Sequence, residues 1–355
     1  MPSMSGLTRR QLLSSLPALA FAPRALVAQP SNELVAQSFR AAQGTGGSPP
    51  IRVRSLNHFG IAVSDPKRSV DFYQGLFGMP VQARVGTTTI LRLGSGPQFI
   101  SIAPVAGSAA PSITHYCLGV EGFNLDRVLA SLAAHGVAKA DAVGPMKVNV
   151  AMRDGTPDLL FGDPDGVVCQ LQDASYCGGS GPLGNVCKAP EPAPIKGLMA
   201  LRDLSHLTIF STDAPRSNKF YQDLCGFSIR SYQGPTAPTL AVGPTVGFLM
   251  FTGGAPARGG APPRPASINH GCMSMDAFNP DQVLKTLETF GITPRDDAPG
   301  AVGPMKSYVT MRMENRGGAP GGTPELYFTD PDGLLMQLQD VSYCGGSGFL
   351  GNECK

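Results

Sequence analysis

Gln170-Leu-Gln-Asp-Ala-Ser-Tyr-Cys-Gly-Gly-Ser-Gly-Pro-Leu-Gly-Asn-Val-Cys-Lys188 is the stretch on which the fold turns. The chain repeats it as Gln337 to Lys355, with 16 of 19 positions identical. Upstream of it, other pieces recur in the same order. Asp163-Pro-Asp-Gly166 returns as Asp330 to Gly333, Ala142-Val-Gly-Pro-Met-Lys147 as Ala301 to Lys306, and Phe72-Tyr-Gln74 as Phe220 to Gln222. The offset grows from 148 to 155, 159 and 167 residues along the chain. The second copy therefore carries insertions, around 252–266 and 313–323, both rich in Gly and Pro. A period this long means duplicated domains rather than a solenoid. The copies are placed at 51–188 and 199–355. Residues 189–198 form the linker between them, with three prolines between Ala189 and Lys196.

Each copy divides again. Leu56 to Val63 has strand composition. Asp65 can cap a helix with Pro66 in its first turn, Val70, Tyr73, Leu76 and Phe77 recur at helical spacing, and Gly78 can end it. Strand-like runs follow at Thr88–Leu93 and Phe99–Ala103. Ile113 to Val120 starts the pattern afresh. Asn124 caps a second helix with Leu125, Val128, Leu129 and Leu132 on one face and Gly136 behind it, and Val148–Met152, Asp158–Phe161 and Val167–Gln172 complete the set. The second copy repeats this, with Asn279-Pro280 opening a helix over Asp281–Phe290. The unit is βαβββ, present four times, which makes the fold class α+β.

A chain of 355 residues corresponds to about two domains. Hydrophobic residues make up 42% and charged residues 15%, enough apolar material for a sizeable core and against wholesale disorder. With 44 Gly and 33 Pro, the composition favours short strands and many turns. The net charge is +2 and no basic run exists beyond Arg9-Arg10, so a nucleic-acid surface is not expected.

Those two arginines precede a weakly apolar run, Ser14 to Ala22, then Pro23-Arg24 and small residues up to Ala28. The run is far short of the roughly 20 residues a membrane span needs. Residues 1–28 contain no acid and lie outside the repeats. They resemble a twin-arginine export signal, which implies a periplasmic or secreted protein. Removing them takes away three of the 28 basic residues, leaving 25 against 26 acidic ones.

Four of the five histidines obey the repeat. His58 and His206 lie on the first strand of each copy, and His115 and His270 on the strand that opens each second half. His135 has no counterpart. Four βαβββ modules with these histidines, and a final strand introduced by Asp-Pro-Asp-Gly, resemble the vicinal oxygen chelate superfamily of glyoxalases, bleomycin-resistance proteins and extradiol dioxygenases. The resemblance covers about 51–175 and 200–342. It implies two tandem domains, each an open barrel of paired modules with metal ligands pointing inward. It further implies that His206, His270 and Gln337 in the second copy, and His58, His115 and Gln170 in the first, hold a divalent metal, with Fe(II) favoured and Mn(II) or Zn(II) as alternatives.

The matches are incomplete in informative ways. Extradiol enzymes carry Glu where this chain has Gln337, and two imidazoles with one carboxylate make the facial triad that suits Fe(II). Neutral Gln is a poorer donor, so affinity should fall. Gln172 and Gln339, two residues on, share the strand face of Gln170 and Gln337. Glyoxalase sites also use an acid on the fourth strand, but Phe99–Ala103 and Gly247–Phe251 contain none. Tyr327 fits the tyrosine that extradiol enzymes place just before the Asp-Pro-x-Gly turn and is the candidate catalytic residue. The first copy has Leu160 there, and the second copy has Gly-Ala-Pro around 318–320 and no spare histidine for the acid–base role of that family.

The cysteines fall into two groups. Cys177 and Cys187, like Cys344 and Cys354, bracket nine residues rich in Gly, a loop that closes easily as a disulfide in an exported chain. A zinc site is the rival, but one pair per copy supplies only two thiolates. Cys117, Cys169, Cys225 and Cys272 read as buried small hydrophobes. The expected function is an exported, metal-dependent enzyme closest to extradiol dioxygenases, acting on a small aromatic or hydroxy-carbonyl compound. The alternatives are a non-catalytic small-molecule binder of the resistance type and a metal-dependent isomerase or lyase. A small-molecule partner is expected, with no membrane span.

Overall fold

Nine strands assemble around the first pair of histidines and nine around the second. The computed structural model describes residues 48–253, 265–296 and 302–354. The export-type segment at 1–28 lies outside them, as does most of the insertion expected around 252–266. The first sheet contains β1 (Val53–Val63), β2 (Val81–Val85), β3 (Thr88–Arg92), β4 (Phe99–Pro104), β5 (Ser112–Val120), β6 (Ala138–Lys139), β7 (Lys147–Arg153), β8 (Thr156–Gly162) and β9 (Val168–Asp173). Their order across the sheet is β2-β3-β4-β1-β5-β9-β8-β7-β6. The second sheet repeats this order with β10 (Asp203–Ser211), β11 (Ile229–Tyr232), β12 (Pro238–Ala241), β13 (Phe248–Gly253), β14 (Ser267–Met275), β15 (Thr293–Pro294), β16 (Lys306–Arg312), β17 (Thr323–Thr329) and β18 (Leu335–Asp340).

The βαβββ reading holds, with one addition in each second module. The short strands β6 and β15 pair with the start of β7 and β16. Edge strands β2 and β11 also form where the sequence carries little strand signal. Two modules join edge to edge through antiparallel pairing of β1 with β5 and of β10 with β14. Within each module the last strand returns parallel to the first, β4 beside β1 and β9 beside β5. The sheets curve as open barrels without closing.

Four helices carry the caps the sequence advertises. In α1 (Pro66–Phe77), Asp65 accepts from the amide of Arg68 and Gly78 ends the helix in the left-handed region. In α2 (Leu125–Ala134), Asn124 caps the start, and the chain leaves through His135 before Gly136 turns left-handed. The helices α3 (Ala214–Cys225) and α4 (Pro280–Thr289) repeat the pattern behind Asp213 and Asn279. The second insertion folds as a 3-10 turn at Glu314–Arg316.

The main apolar core is shared between the domains. Phe72 of α1 lies 5.6 Å from Phe290 and 6.4 Å from Phe328, while Phe220 of α3 lies 6.2 Å from Phe161 of β8. Each first-module helix thus packs on the other domain, and burial of these rings, about 1.5–3 kcal/mol apiece, couples the two halves. The concave faces hold separate small clusters, Ile90, Phe99 and Tyr176 in one domain and Phe248, Met250 and Tyr343 in the other.

Candidate metal centre

β-bulges aim the first histidine of each pair. Leu204 and Leu207 of β10 both enter the main core, three residues apart, which simple alternation forbids. A register shift between Leu204 and His206 resolves this and turns His206 to the concave side, and the same shift between Leu56 and His58 does so in β1. Across β14 from His206 lies Cys272, and across from Cys272 on β18 lies Gln337. His270, two residues from Cys272, shares that face.

The three expected donors converge in each domain. His206 and His270 meet edge to face with ring centres 5.7 Å apart, and His58 and His115 do so at 5.5 Å. His206 Nε2 lies 3.0 Å from Gln337 Oε1. His58 and Gln170 likewise interact through their side chains. Exposure of His206, His270 and Gln337 is 2%, 4% and 1%. Among the described residues no three His, Cys, Asp or Glu side chains gather closely enough to share an ion, since the third donor at each site is an amide.

Each imidazole is anchored through Nδ1 by the residue that precedes it. Asn57 Nδ2 donates to the Tyr176 carbonyl at 2.9 Å, which turns its Oδ1 toward His58 Nδ1 at 2.8 Å. Thr114 Oγ1 donates to Gly60 O at 3.2 Å, so its oxygen accepts from His115 Nδ1 at 2.9 Å. Asn269 Oδ1 lies 2.7 Å from His270 Nδ1, and Ser205 Oγ lies 3.2 Å from His206 Nδ1. A proton held on Nδ1 leaves the Nε2 lone pair facing inward, the orientation metal-binding histidines adopt. Gly60 faces His115 across the strands, and a Cβ there would strike the ring.

Electrostatics agree with neutral imidazoles. Burial holds His115 and His270 down at about 4. Burial also drives His58 and His206 well below the ordinary histidine range, and the neighbouring imidazoles His115 and His270 push them further. All four are therefore unprotonated at neutral pH, as a ligand requires.

The donor set fits a divalent ion. His270 Nε2 is buried with no hydrogen-bond partner, an orphan that an ion would satisfy. Two donors held at about 2.1 Å and at right angles around one ion stand about 3.0 Å apart, and the His206–Gln337 separation equals that. In its Nε2–H tautomer His206 donates to Gln337 Oε1, and with the proton on Nδ1 both atoms can offer lone pairs to a common ion.

Aromatic rings surround the donors. His206 stacks on Phe248 with centres 4.2 Å apart, and Tyr343 covers it at 5.5 Å. Tyr327 stands edge-on to His270 at 5.3 Å and stacks on Tyr308 at 5.2 Å. Its hydroxyl lies 3.5 Å from Glu325 Oε2, and burial pushes its ionisation well above the usual phenol range. Sequence reasoning missed Tyr176, Tyr343, Glu325 and the Nδ1 partners. The polar residue before each histidine was the available signal. Cys117 and Cys272 are buried as expected, but they face the centres, not the main core. Cys177–Cys187 and Cys344–Cys354 form the two expected disulfides.

Tandem pairs of βαβββ modules in one open sheet, with inward donors on the first, fifth and last strands, define the vicinal oxygen chelate fold. Residues 55–171 match the Glyoxalase/Bleomycin resistance protein/Dioxygenase superfamily, and the second domain repeats the first in sequence motifs and strand order. No curated protein matches the sequence. Solved structures of similar fold include a catechol 2,3-dioxygenase at 16% identity and TM-score 0.54, covering 84% of this chain and 88% of that one. The Mn(II)-bound glyoxalase from Novosphingobium aromaticivorans matches at 16% and 0.54, over 81% and 82%. Homoprotocatechuate 2,3-dioxygenase from Arthrobacter globiformis matches at 17% and 0.53, over 83% and 81%. At these identities the likeness is one of fold. Among the described residues no helix is long and apolar enough to cross a membrane.

Proposed function

We propose that the chain is a metal-dependent enzyme of the extradiol-dioxygenase type, acting on a small aromatic or hydroxy-carbonyl compound with adjacent oxygens, and that the second domain is its working site. The observation that carries this reading is the convergence of His206, His270 and Gln337, with His206 Nε2 3.0 Å from Gln337 Oε1. His206 and His270 offer Nε2 and Gln337 offers Oε1. A bound divalent ion, Fe(II) by preference with Mn(II) or Zn(II) as the other candidates, would supply Lewis acidity to two neighbouring substrate oxygens. Tyr327 stands beside His270 and retains its proton at neutral pH, so its Oη can donate to a substrate oxygen. The stack of His206 on Phe248 favours flat substrates and excludes water. Glyoxalase chemistry is disfavoured because β4 and β13 present no acid.

A second reading, binding of a small molecule without turnover, draws support from the neutral third donor and from Tyr343 lying over His206. We also place the protein outside the cytoplasm, periplasmic or secreted, on the strength of Arg9-Arg10 and the two disulfides. Elemental analysis of protein purified without chelators, for wild type and His270→Ala, tests the main reading together with turnover of catechols. Iron or manganese in the wild type, reduced in the variant by the share the second domain holds, is expected. A redox-inert metal argues against the dioxygenase, and no metal leaves the binder.

A further inference from the structure

The rings that cover the two triads, Tyr176 and Tyr343, stand one residue before the first cysteine of each disulfide loop. After β18, Tyr343 turns into the concave face, 5.5 Å from His206 and 6.0 Å from Phe248. Its hydroxyl donates to Glu325 Oε1 at 3.1 Å and receives from Gln233 Nε2 at 3.0 Å. Arg312, fully buried, donates through Nε to Glu325 at 2.8 Å and through Nη2 to Gly346 O at 2.8 Å. Thr323 Oγ1 donates to Gly348 O at 2.7 Å. The disulfide Cys344–Cys354 closes this loop.

The first domain builds the same arrangement. Tyr176 lies 5.8 Å from His58, and its hydroxyl receives from Arg153 Nη2 at 3.1 Å. Arg153 also holds Asp158 at 3.2 Å and Gly179 O at 3.2 Å, and Cys177–Cys187 closes the loop. Tyr327 is replaced by Leu160 in this copy, yet tyrosine, arginine, acid and loop all persist. A network kept where the candidate catalytic tyrosine is missing serves the loop rather than the chemistry.

We propose that each disulfide loop clamps an autoinhibitory plug, the tyrosine at its neck, which fills the place beside the triad where an aromatic ligand would stack, and that reduction by a dithiol opens it. The proposal deepens the functional reading above and rests on its choice of the triad as the centre. In the second domain the dithiol becomes its own disulfide. Two electrons and two protons pass to the sulfurs of Cys344 and Cys354, which end as thiols. Cys354 is half-buried and within reach of a small reductant. The loop it closes runs through Gly345, Gly346, Gly348 and Gly351. Glycines gain most freedom on release, so the crosslink does much to hold the plug's shape.

Histidine carbethoxylation by diethyl pyrocarbonate, read by mass spectrometry, tests the plug without relying on turnover. In the oxidised protein His206 and His270 should react far more slowly than half-exposed His135. Dithiothreitol, or the Cys344→Ser/Cys354→Ser double variant, should raise their rate about tenfold or more, as expected for a local opening. The backbone amides of β14 and β18 should stay protected from hydrogen exchange. Tyr343→Ala should give the same gain with the disulfide intact. Unchanged labelling in all three overturns the proposal, as does labelling that rises only when those amides lose protection. Metal content is a separate readout: a protein that opens but takes up no ion supports the plug and removes the metal reading.

Discussion

The carboxylate of Asp332 accepts from the guanidinium of Arg68 at 2.8 Å, although the two stand 264 residues apart and in different domains. Asp332 is the second acid of the second Asp-Pro-Asp-Gly turn, and the first copy returns the contact. Asp165 accepts from Arg216, Ser211 and Thr212 of the second domain. The first acid of each turn holds the turn itself, since Asp330 Oδ1 takes the amides of Asp332 and Leu334 at 2.9 Å each, and Asp330 Oδ2 also accepts from the Tyr73 hydroxyl of the first domain at 3.2 Å. The motif therefore makes a turn with one aspartate and a reciprocal clasp with the other.

Breaking one clasp should weaken the joined core. Asp332→Ala strands the Ser64 and Arg68 donors, and Asp165→Ala does the same on the other side. Each should cost about 1–3 kcal/mol, the usual loss for a charged hydrogen-bond partner. Urea unfolding measures it. A cost within error of zero for both would show that the apolar interface alone couples the domains.

Gln337→Glu should tighten binding of a divalent ion by about tenfold or more, because a carboxylate adds charge to the donor set. His270→Ala should abolish binding in the second domain and leave the first. Calorimetric titration with Mn(II) resolves both effects. Equal affinity for wild type and Gln337→Glu would remove Gln337 from the ligand set.

Acid should destabilise the metal-free protein over a defined window. His115 and His270 sit at about 4 in the fold, against about 6.5 unfolded. The unfolded chain thus binds protons that the fold refuses. The stability involved is fully present above pH 6.5 and is lost as pH falls to about 4, roughly 3 kcal/mol per histidine. His58 and His206 shift the same way. Asp163 and Asp330, raised to about 6 by burial, act oppositely over the lower part of that window. Four imidazoles against two carboxyls leave the thermal midpoint falling between pH 6.5 and 4. The His115→Gln/His270→Gln variant should flatten that limb. An equally steep limb in the variant would place the acid sensitivity elsewhere.

Non-reducing peptide maps should show Cys177 linked to Cys187 and Cys344 to Cys354, each closing its own loop. Loops of this size stabilise by about 2–3 kcal/mol in the chain-entropy model. Free, alkylatable thiols at these four positions in protein recovered from outside the cytoplasm would contradict the pairing.

N-terminal sequencing of such protein should begin after residue 28, since residues 1–28 resemble a twin-arginine signal. A chain starting at residue 1 or 2 would count against export.

What the sequence determined by itself follows from repetition and local pattern. The duplication, the helix caps at Asp65, Asn124, Asp213 and Asn279, the four ligand-type histidines and the cysteine loops are all written within short windows, where backbone chemistry acts on neighbours. Tertiary structure alone decided which way those residues point and whom they meet. Period-two alternation would place Leu56 and His58 on one face, and only the bulge between them separates core from site. Glu325 reads as an ordinary strand acid until Arg312 and Tyr343 reach it. Tyr343 reads as part of a loop until the curved sheet brings His206, 137 residues earlier in the chain, beneath its ring. Asp165 and Asp332 find their partners only after two domains pack. Such contacts depend on register, curvature and domain docking, which arise from the summed burial of many side chains and leave no mark in any single stretch of the chain.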